Sequence, residues 1–492
     1  MQDVLVRYVV VAHVALLTAF LAWVHGGTRS DLIAGTPWLC LGILEMVLLL
    51  PPLRKTESLE VARRRTWRAL FADPLLYLGF LLTLYLLIQY WNGGQKLIFD
   101  PDNNTWVFSA PPAGCGPFCV EPGEAFPMLY WFPAVFAVAL GIAHGMNRRG
   151  KLYLLRILAA NGALLSLFGM AQIVAGADRM FWIIPQAKVF FASFNYAGQA
   201  GAFFTLMFAI SGGLFVHALL TLDEHRHAAW LGVAMTLNLA GVFLSLSRAS
   251  MLLSAALLVI GGIYALRHAW WQILPGARFK AASMFVAGLI AGTLILFFAQ
   301  PGNRVLRAAQ TISWSKFSDV TLTERLLQDT AAWTIWKEHP WFGVGGGGYH
   351  HYVRLLTDEN AHALVLSKSV ENVNNDSLQF LAEHGMLGFS FMLASVVLLL
   401  VPLVRRLRAV QKEPDEGWSE HLVVFRISPI TVMLLAGVAA VFVQSLLDRP
   451  FRSPAVLVTW TIALVCAPAF LPAVRRQTIQ NQPETAPPEP AI

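Results

Sequence analysis

The sequence predicts an all-α integral membrane protein, a polytopic helix bundle with about twelve transmembrane helices. Hydrophobic residues make up 56% of the chain and charged residues only 13%, and the mean hydropathy is +0.57. A bilayer core needs about 20 apolar residues per helical span, and backbone groups in lipid must be paired within the span. The predicted spans are 5–24, 33–53, 70–91, 127–146, 152–174, 191–221, 229–247, 250–267, 280–299, 385–404, 424–446 and 453–473.

The basic residues predict the orientation of this bundle. Lys and Arg concentrate in the short loops on the side of the N-terminus, so the positive-inside rule places both termini in the cytoplasm. These loops contain Arg54, Lys55, Arg63, Arg64, Arg65, Arg68, Arg148, Arg149, Lys151, Arg226, Arg267, Arg278, Lys280, Arg405, Arg406, Arg408, Lys412, Arg475 and Arg476. They account for the net charge of +7, and the sequence indicates no nucleic-acid partner.

One large polar segment, residues 300–384, interrupts the hydrophobic spans on the outer side. The chain therefore divides into a bundle of nine spans at 1–299, this loop, and three further spans at 385–476. The tail at 477–492 is rich in Pro and Glu, cannot bury a core, and is expected to be a disordered cytoplasmic extension.

The large loop is predicted to contain helices of its own. A capping box at Thr321 begins an amphipathic helix that Pro340 ends. A second short helix is predicted from about Asn375 to His384, and it should end at Gly385.

Four cysteines are present, of which Cys115 and Cys119 frame a Gly-Pro turn in the outer loop at 92–126. An oxidising exterior favours a disulfide between these two, and a metal site is the weaker interpretation because no second Cys or His pair has zinc-like spacing.

The glycine run Gly343-Val-Gly-Gly-Gly-Gly348 lacks the Lys-Ser/Thr of a phosphate-binding P-loop. It is interpreted either as a sharp turn beside a ligand or helix, or as a flexible linker. His339, His350 and His351 are interpreted as polar loop residues without a metal, on the premise that adjacent histidines cannot point the same way from a helix or strand.

Arginines at the outer ends of the spans are the strongest candidate site residues. Arg248, Arg325, Arg449 and Arg452 all fall at that side, and guanidinium groups suit bidentate phosphate contacts. Arg248 and Arg325 are also compatible with snorkelling interfacial residues, and Arg449 and Arg452 with simple pairing to Asp448 in the same short turn. Asn195, at the start of the sixth span, adds a polar side chain at the same interface. This combination suits an anionic lipid headgroup, such as pyrophosphate carried on an isoprenoid.

Six short motifs occur in an order and spacing that match one family. They are Phe194-Asn-Tyr-Ala-Gly198, Ser247-Arg-Ala249, Arg325 ahead of Trp333 and Trp336, Glu338-His-Pro-Trp-Phe-Gly-Val-Gly345, Asn374-Asn-Asp-Ser-Leu-Gln379 and Ala382-Glu-His-Gly-Met-Leu-Gly388. At these residues the chain resembles the O-antigen ligase and O-antigen polymerase superfamily, which includes membrane O-oligosaccharyltransferases.

The resemblance implies a GT-C-like fold and an inverting glycosyltransferase that uses no metal or cofactor. Its donor would be a polyprenyl-pyrophosphate-linked glycan, and its acceptor a lipid, a sugar or a protein. The reaction would take place on the periplasmic face of the bacterial cytoplasmic membrane, among membrane lipids. Arg248 and Arg325 would bind the pyrophosphate, and Asn375 and Gly345 would contribute to substrate binding.

One position departs from the family pattern. Asn374 stands where the family usually has the His credited with activating the acceptor hydroxyl, and Asn cannot accept a proton. Glu371, Asp376 or His339 could take that role, positioning and leaving-group stabilisation could suffice, or catalysis could be lost. A non-catalytic lipid-glycan-binding relative and a transporter of lipid-linked saccharide therefore stay as alternatives, and ligase and polymerase are not distinguished.

Overall fold

The computed structural model describes residues 2–28, 35–53, 57–102, 104–185, 190–221, 226–272, 320–356, 371–411 and 427–471. In chain order the helices are α1 (Gln2–Trp23), α2 (Thr36–Leu49), α3 (Leu59–Phe71), α4 (Pro74–Trp91), α5 (Pro122–Gly145), α6 (Arg148–Val174), α7 (Ala197–Leu220), α8 (Ala228–Leu244), α9 (Arg248–Gln272), α10 (Val320–Glu338), α11 (Tyr349–Val353), α12 (Asp376–Gln411), α13 (Pro429–Ser445) and α14 (Pro454–Cys466).

Apolar helices agree with the predicted spans throughout the described ranges. Six of them, α4, α5, α6, α7, α9 and α12, are long and apolar enough to cross a membrane, and five shorter apolar helices accompany them. Together they coincide with every predicted span except the ninth, because 280–299 lies outside the described residues. The predicted tail at 477–492 also lies outside them. The protein is therefore a helical membrane protein.

Some local structure differs from the sequence-based expectation. Two small antiparallel hairpins occur, β1 (Leu97–Asp100) with β2 (Thr105–Phe108) and β3 (Arg179–Met180) with β4 (Ile184–Pro185), so the fold is not purely α-helical. The sixth span begins only at Ala197, because residues 191–194 form a tight turn.

The predicted disulfide is absent, since both cysteines in the loop at 92–126 are free. Cys119 is buried and its Sγ occupies the space beside Gly93, whereas Cys115 is exposed. The Asn92 side chain holds the turn instead, donating from Nδ2 to the carbonyl oxygens of Cys115 at 3.1 Å and Pro117 at 3.0 Å.

Helix α7 forms the centre of the bundle and packs against α6, α8, α9, α13 and α14. Small residues permit these contacts: a Cβ added at Gly437 of α13 would lie 2.5 Å from the Ala209 Cβ of α7. Because lipid provides no hydrophobic drive for helices to associate, close backbone approach and interhelical hydrogen bonds must hold such a bundle together.

A buried polar seam aligns three helix termini at one end of the bundle. Ser250 Oγ donates to Gln444 Oε1 at 2.9 Å, and Gln444 Nε2 donates to the Gly198 carbonyl at 2.9 Å. A Cβ at Gly201 would lie 2.3 Å from Ser250 Oγ, so glycine is needed there. The N-termini of α7 and α9 therefore meet the C-terminus of α13, and we call this the loop end of the bundle.

The polar loop docks on the bundle through a break in α12. Gly385 has φ 60° and ψ −171°, a conformation that interrupts the helix where the sequence predicts its end. Backbone N–H groups of Val344 and Gly345 donate to the carbonyls of Ala382 and Glu383, at 3.1 and 2.7 Å. The glycine run is thus an ordered turn packed against the chain, and the flexible-linker interpretation is wrong.

Buried side chains from α10, α11 and the start of α12 complete the loop with a small core of its own. Its members are Ala331, Ala332, Ile335, Val344, Tyr349, Val353, Val373 and Ala382. The Thr321 capping box falls at positions whose side chains lie outside the described residues, although α10 itself extends through Val320–Glu338.

Candidate functional site

A cluster of charged and phenolic groups lies where α10 meets the turn after α13. Arg325 Nη1 donates to the Leu447 carbonyl at 2.8 Å. Tyr196 donates its hydroxyl proton to Asp448 Oδ1 at 2.6 Å, and the Arg449 guanidinium lies 4.9 Å from the centroid of the Tyr196 ring. Two of the predicted arginines therefore converge on one side chain at the loop end.

Burial, the Asp448 carboxylate and the two arginines together set the electrostatics of this cluster. Burial and the neighbouring Asp448 carboxylate raise the pKa of Tyr196, while the positive charges of Arg449 and Arg325 act in the opposite direction. One turn along α10, burial raises the pKa of Asp329, against the influence of Arg325. Tyr196 therefore stays a neutral hydrogen-bond donor, and the arginines supply the positive charge.

A second group of polar side chains continues from this cluster toward α12. Asp376 Oδ2 accepts a hydrogen bond from the Phe451 N–H at 2.9 Å, and Asp376 interacts electrostatically with Arg452, Asp448 and Arg449. Arg452 Nη2 lies 3.5 Å from the buried Glu383 Oε1. The turn at residues 448–452 therefore links both groups into one continuous charged region.

A cavity of about 300 Å³ opens beside this region. Its polar side is formed by Asp376, Ser377, Gln379, Glu383 and Arg452. The rest of its wall is apolar and comes from α5, α12, α13 and α14, with Trp131, Phe132, Val396, Phe442, Leu457 and Trp460 among its residues. The cavity thus joins a charged region to a membrane-embedded apolar surface.

Asn374, at the position of the family His, is held by α10. Its backbone N–H and its Nδ2 both donate to Gln328 Oε1, at 3.2 and 3.0 Å. Asn375 Oδ1 accepts from the Leu378 N–H at 3.1 Å and so caps α12. The structure gives Asn375 a clear local role, while Asn374 connects the two helices that carry Arg325 and Asp376.

Arg248 and Asn195 lie at the same end but outside these contacts. Arg248 is exposed at the first residue of α9, beside the polar seam, and Asn195 is partly buried two residues before α7. Across the described ranges, neither side chain forms a recorded hydrogen bond or ion pair. Their predicted roles with the substrate stay predictions.

His339 and Gly345 lie apart from the arginines. The His339 ring packs edge-on against Phe118 and Tyr352, at centroid distances of 5.5 and 5.1 Å, and burial lowers its pKa. Gly345 has φ +82°, and a Cβ there would lie 2.3 Å from Cys119 Cα. The geometry therefore gives both residues roles in packing, and their predicted roles at the substrate stay untested.

The structure also adds site residues that sequence reasoning did not select. They are Tyr196, which lies under Arg449 and donates to Asp448; Gln328, which accepts from Asn374; and Glu383, which faces Arg452 and accepts from Gln379. Tyr196, Gln379 and Glu383 lie in motifs quoted from the sequence, and Asp448 directly precedes Arg449. Their pairings depend on contacts between distant segments, which spacing along one chain does not encode.

A comparison with family models identifies the same part of the molecule. Residues 233–393, which run from α8 through Arg248, Arg325 and Asn374 into α12, match the model described as O-antigen ligase. No curated protein matched the chain. The matched residues include most of the motifs quoted from the sequence, and the match confirms the family resemblance that those motifs indicated. In residues 233–393 the chain is therefore similar to the O-antigen ligase and polymerase family.

Proposed function

We propose that this O-antigen ligase/polymerase-like membrane glycosyltransferase takes its glycan from a polyprenyl-pyrophosphate carrier. The observation that carries the proposal is the continuity between the charged region at residues 448–452 and the apolar cavity of about 300 Å³. A pyrophosphate on an isoprenoid chain requires both surfaces side by side. A donor with a soluble nucleotide carrier would have no use for a cavity lined by Trp131, Phe132 and Trp460.

In this proposal the arginines stabilise the leaving group. Arg325 and Arg449 flank Tyr196, and Arg452 lines the cavity. Charge builds up on the pyrophosphate as its bond to the sugar breaks, and preorganised cations in a site of low dielectric stabilise such charge strongly. The proposed reaction then needs no divalent metal, because the guanidinium groups stabilise the negative charge on the departing pyrophosphate.

The acceptor hydroxyl needs a proton acceptor or close positioning. Among the three candidates from the sequence, Asp376 lines the cavity, Glu371 is exposed, and His339 is enclosed by Phe118 and Tyr352. We infer that Asp376 takes the proton as the acceptor oxygen attacks the anomeric carbon. The bond to the pyrophosphate oxygen breaks in the same displacement, so the configuration inverts.

The location follows from the charge asymmetry of the loops. With both termini in the cytoplasm, the loop end faces the periplasmic side of the bacterial inner membrane. The glycan donor, lipid neighbours and the lipid, sugar or protein acceptor would meet there. The segments 1–299 and 385–476 would form the membrane bundle, with 300–384 as the periplasmic loop.

A reconstitution assay tests the proposal. The purified protein in lipid nanodiscs would receive polyprenyl-pyrophosphate glycan alone, or together with a candidate acceptor, and release of free polyprenyl pyrophosphate would be measured with and without a chelator. We expect release that continues in the chelator. Polymerised product from donor alone would indicate a polymerase, and product that requires the second acceptor a ligase. Strict dependence on a divalent metal would refute the arginine mechanism.

The departure at Asn374 favours one second candidate, a relative that binds lipid-linked glycan without turning it over. It predicts saturable donor binding, sensitive to Arg325→Ala, and no release of polyprenyl pyrophosphate with any acceptor. The same assay separates the two candidates, because only the enzyme releases the carrier.

A further inference from the structure

Three potential metal ligands converge away from the arginine region. His350 Nε2 lies 3.5 Å from Glu124 Oε1, and His351 Nε2 lies 3.4 Å from Glu124 Oε2. One potential ligand atom from each of the three residues lies within 4.8 Å of the other two. The two imidazole rings stack with their centroids 3.9 Å apart. The premise that adjacent histidines cannot point the same way is therefore wrong for α11.

One of these ligand atoms lacks a partner. His351 Nε2 is a buried atom, and within the part of the chain that the structure describes it forms no hydrogen bond, despite its closeness to Glu124. A buried polar atom without a hydrogen bond is energetically unfavourable. A bound cation would satisfy this nitrogen and the carboxylate together.

The separations suit a tetrahedral ion. Zinc binds His nitrogen and carboxylate oxygen at about 2.0–2.2 Å, which places neighbouring tetrahedral ligands about 3.3 Å apart. Each histidine Nε2 lies near that distance from one oxygen of Glu124, His350 at 3.5 Å from Oε1 and His351 at 3.4 Å from Oε2, so the carboxylate presents one oxygen to each ring. Two imidazoles with one carboxylate are a zinc-type ligand set, whereas Mg²⁺ and Ca²⁺ prefer all-oxygen sites.

Two glycines allow the backbone ahead of His350 and His351 to lie close to Glu124 and Met128 of α5. Gly347 has φ +76°, and a Cβ there would lie 2.8 Å from both Cβ and Oε2 of Glu124. A Cβ at Gly346 would lie 2.6 Å from Met128 Sδ, one turn further along α5. Only glycines let α11 come this close to the first turn of α5. Glu121 adds negative charge near His351, and Arg354 opposes it.

We propose that Glu124, His350 and His351 bind a zinc ion that fastens α11 of the polar loop to the first turn of α5. Water would complete the coordination, and the ion would act on the position of the loop. This site is separate from the proposed glycosyl-transfer chemistry, since no recorded contact among the described residues joins it to Arg325, Asp376 or Arg452. Zinc would therefore stabilise the fold without taking part in the reaction.

The test measures zinc itself. The full chain, purified in nanodiscs with a tag that contains no histidine, would be stripped with chelator and equilibrated with micromolar Zn²⁺. We expect about one zinc per chain by mass spectrometry of metals, and a thermal unfolding midpoint that rises with Zn²⁺ but not with Mg²⁺ or Ca²⁺. Glu124→Gln and the double variant His350→Ala/His351→Ala should lose both the bound zinc and the rise.

His13→Ala is the matched control, because His13 hydrogen-bonds Leu39 on the far part of the bundle and should leave zinc binding unchanged. Glu124→Gln keeps the size of the side chain, so it remains informative if the double variant does not fold. Wild-type protein without stoichiometric zinc, or equal zinc in Glu124→Gln, would overturn the proposal. Either result would leave the glycosyltransferase proposal intact, because that proposal rests on carrier release.

Discussion

The guanidinium groups of the three site arginines, Arg325, Arg449 and Arg452, have different contact partners. A guanidinium has five N–H donors, and Arg325 directs one of them at the Leu447 carbonyl. Arg449 rests on the face of Tyr196, while Arg452 faces the carboxylate of Glu383 at 3.5 Å. Arg325 is thus fixed by a neutral partner and keeps its charge available for an anion.

Replacing Arg325 with Ala should reduce turnover strongly while the fold persists. Losing a charge-assisted contact to phosphate costs about 2–3 kcal/mol, which corresponds to about 30- to 150-fold in kcat/KM. Arg325→Lys should recover part of this loss, because a point charge cannot reproduce the planar two-pronged contact. Release of free polyprenyl pyrophosphate by each variant would be measured. The variants Arg248→Ala and Arg248→Lys would be measured in the same way, with the same expectation.

Arg354→Ala is the control for this series, since Arg354 is an exposed arginine of the same loop. Its turnover should equal that of the wild type. If Arg325→Ala and Arg248→Ala both lay within a few-fold of the wild type, the arginines would be interfacial residues and the pyrophosphate role would be refuted.

Asp376→Asn tests the proton acceptor. Asn can still accept the Phe451 N–H through its oxygen, so the local structure should survive, but it cannot take a proton. We expect turnover to fall by about 10²- to 10⁴-fold, with Glu371→Gln unchanged because Glu371 is exposed. Adding Asn374→His to Asp376→Asn should restore part of the rate if position 374 faces the acceptor. Wild-type turnover in Asp376→Asn would eliminate this residue as the base.

The sequence alone makes the arginines candidates for the site, but it does not give their environment. Positive charges at span ends, together with the family motifs, pointed to Arg325, Arg449 and Arg452. The pairing of Tyr196 with Asp448 joins residues 252 positions apart, and that of Arg452 with Glu383 is likewise tertiary. No local pattern reports such contacts. The sequence also does not indicate that His350 and His351 both lie close to Glu124, because that contact joins α11 to a distant helix.

At the scale of elements, the break in α12 at Gly385 decides where the polar loop lies. The kink frees the N–H groups of Met386 and Leu387, which donate to the carbonyls of Pro340 and Trp341 at 2.8 and 3.1 Å. On its other side, the carbonyls of Ala382 and Glu383 accept from Val344 and Gly345. One interrupted helix thereby binds both ends of the segment at 340–345.

Gly385→Ala should loosen the loop. Its backbone, at φ 60° and ψ −171°, is open essentially to glycine alone, and the added Cβ would lie 2.4 Å from the Trp341 carbonyl group. We expect destabilisation of at least about 1–3 kcal/mol from backbone strain, seen as a lower unfolding midpoint and faster proteolysis within 320–356. Gly42→Ala, in α2 with open space around it, should be neutral or slightly stabilising. Equal behaviour of the two variants would contradict this role for Gly385.

At the scale of the molecule, the helices were predictable and their arrangement was not. Hydropathy alone located each described apolar helix, since about 20 apolar residues per span is a strong signal. It missed α3 as a separate helix, because Leu59–Phe71 is basic and amphipathic and reads as a loop between spans. The central position of α7 depends on glycine contacts with α9 and α13, which appear only once the helices are packed.

The cavity should bind the isoprenoid chain of the donor, and Val396→Trp tests this. Val396 lines the cavity on α12, and an indole there would fill part of its 300 Å³. We expect a higher KM for a long-chain polyprenyl donor and little change for a short-chain analogue. Leu393→Trp is the matched control, because Leu393 is on the same helix with its side chain 55% exposed. The same KM increase for both donors would argue against an isoprenoid site.

The hydrogen bonds from α4 to the docked loop bear on how this protein could be recombined with its relatives. Tyr85 donates its hydroxyl proton to the carbonyls of Phe342 and His384, at 2.9 and 2.8 Å, and Gln89 Nε2 also donates to Phe342 at 3.0 Å. The loop is thus held by side chains of a helix that lies more than 250 positions earlier in the chain. A chimera that takes only residues 320–356 from a relative would lack the α4 side chains with which that loop packs in its own protein. We therefore expect the loop to be transferable between relatives only together with α4 and the first turns of α12.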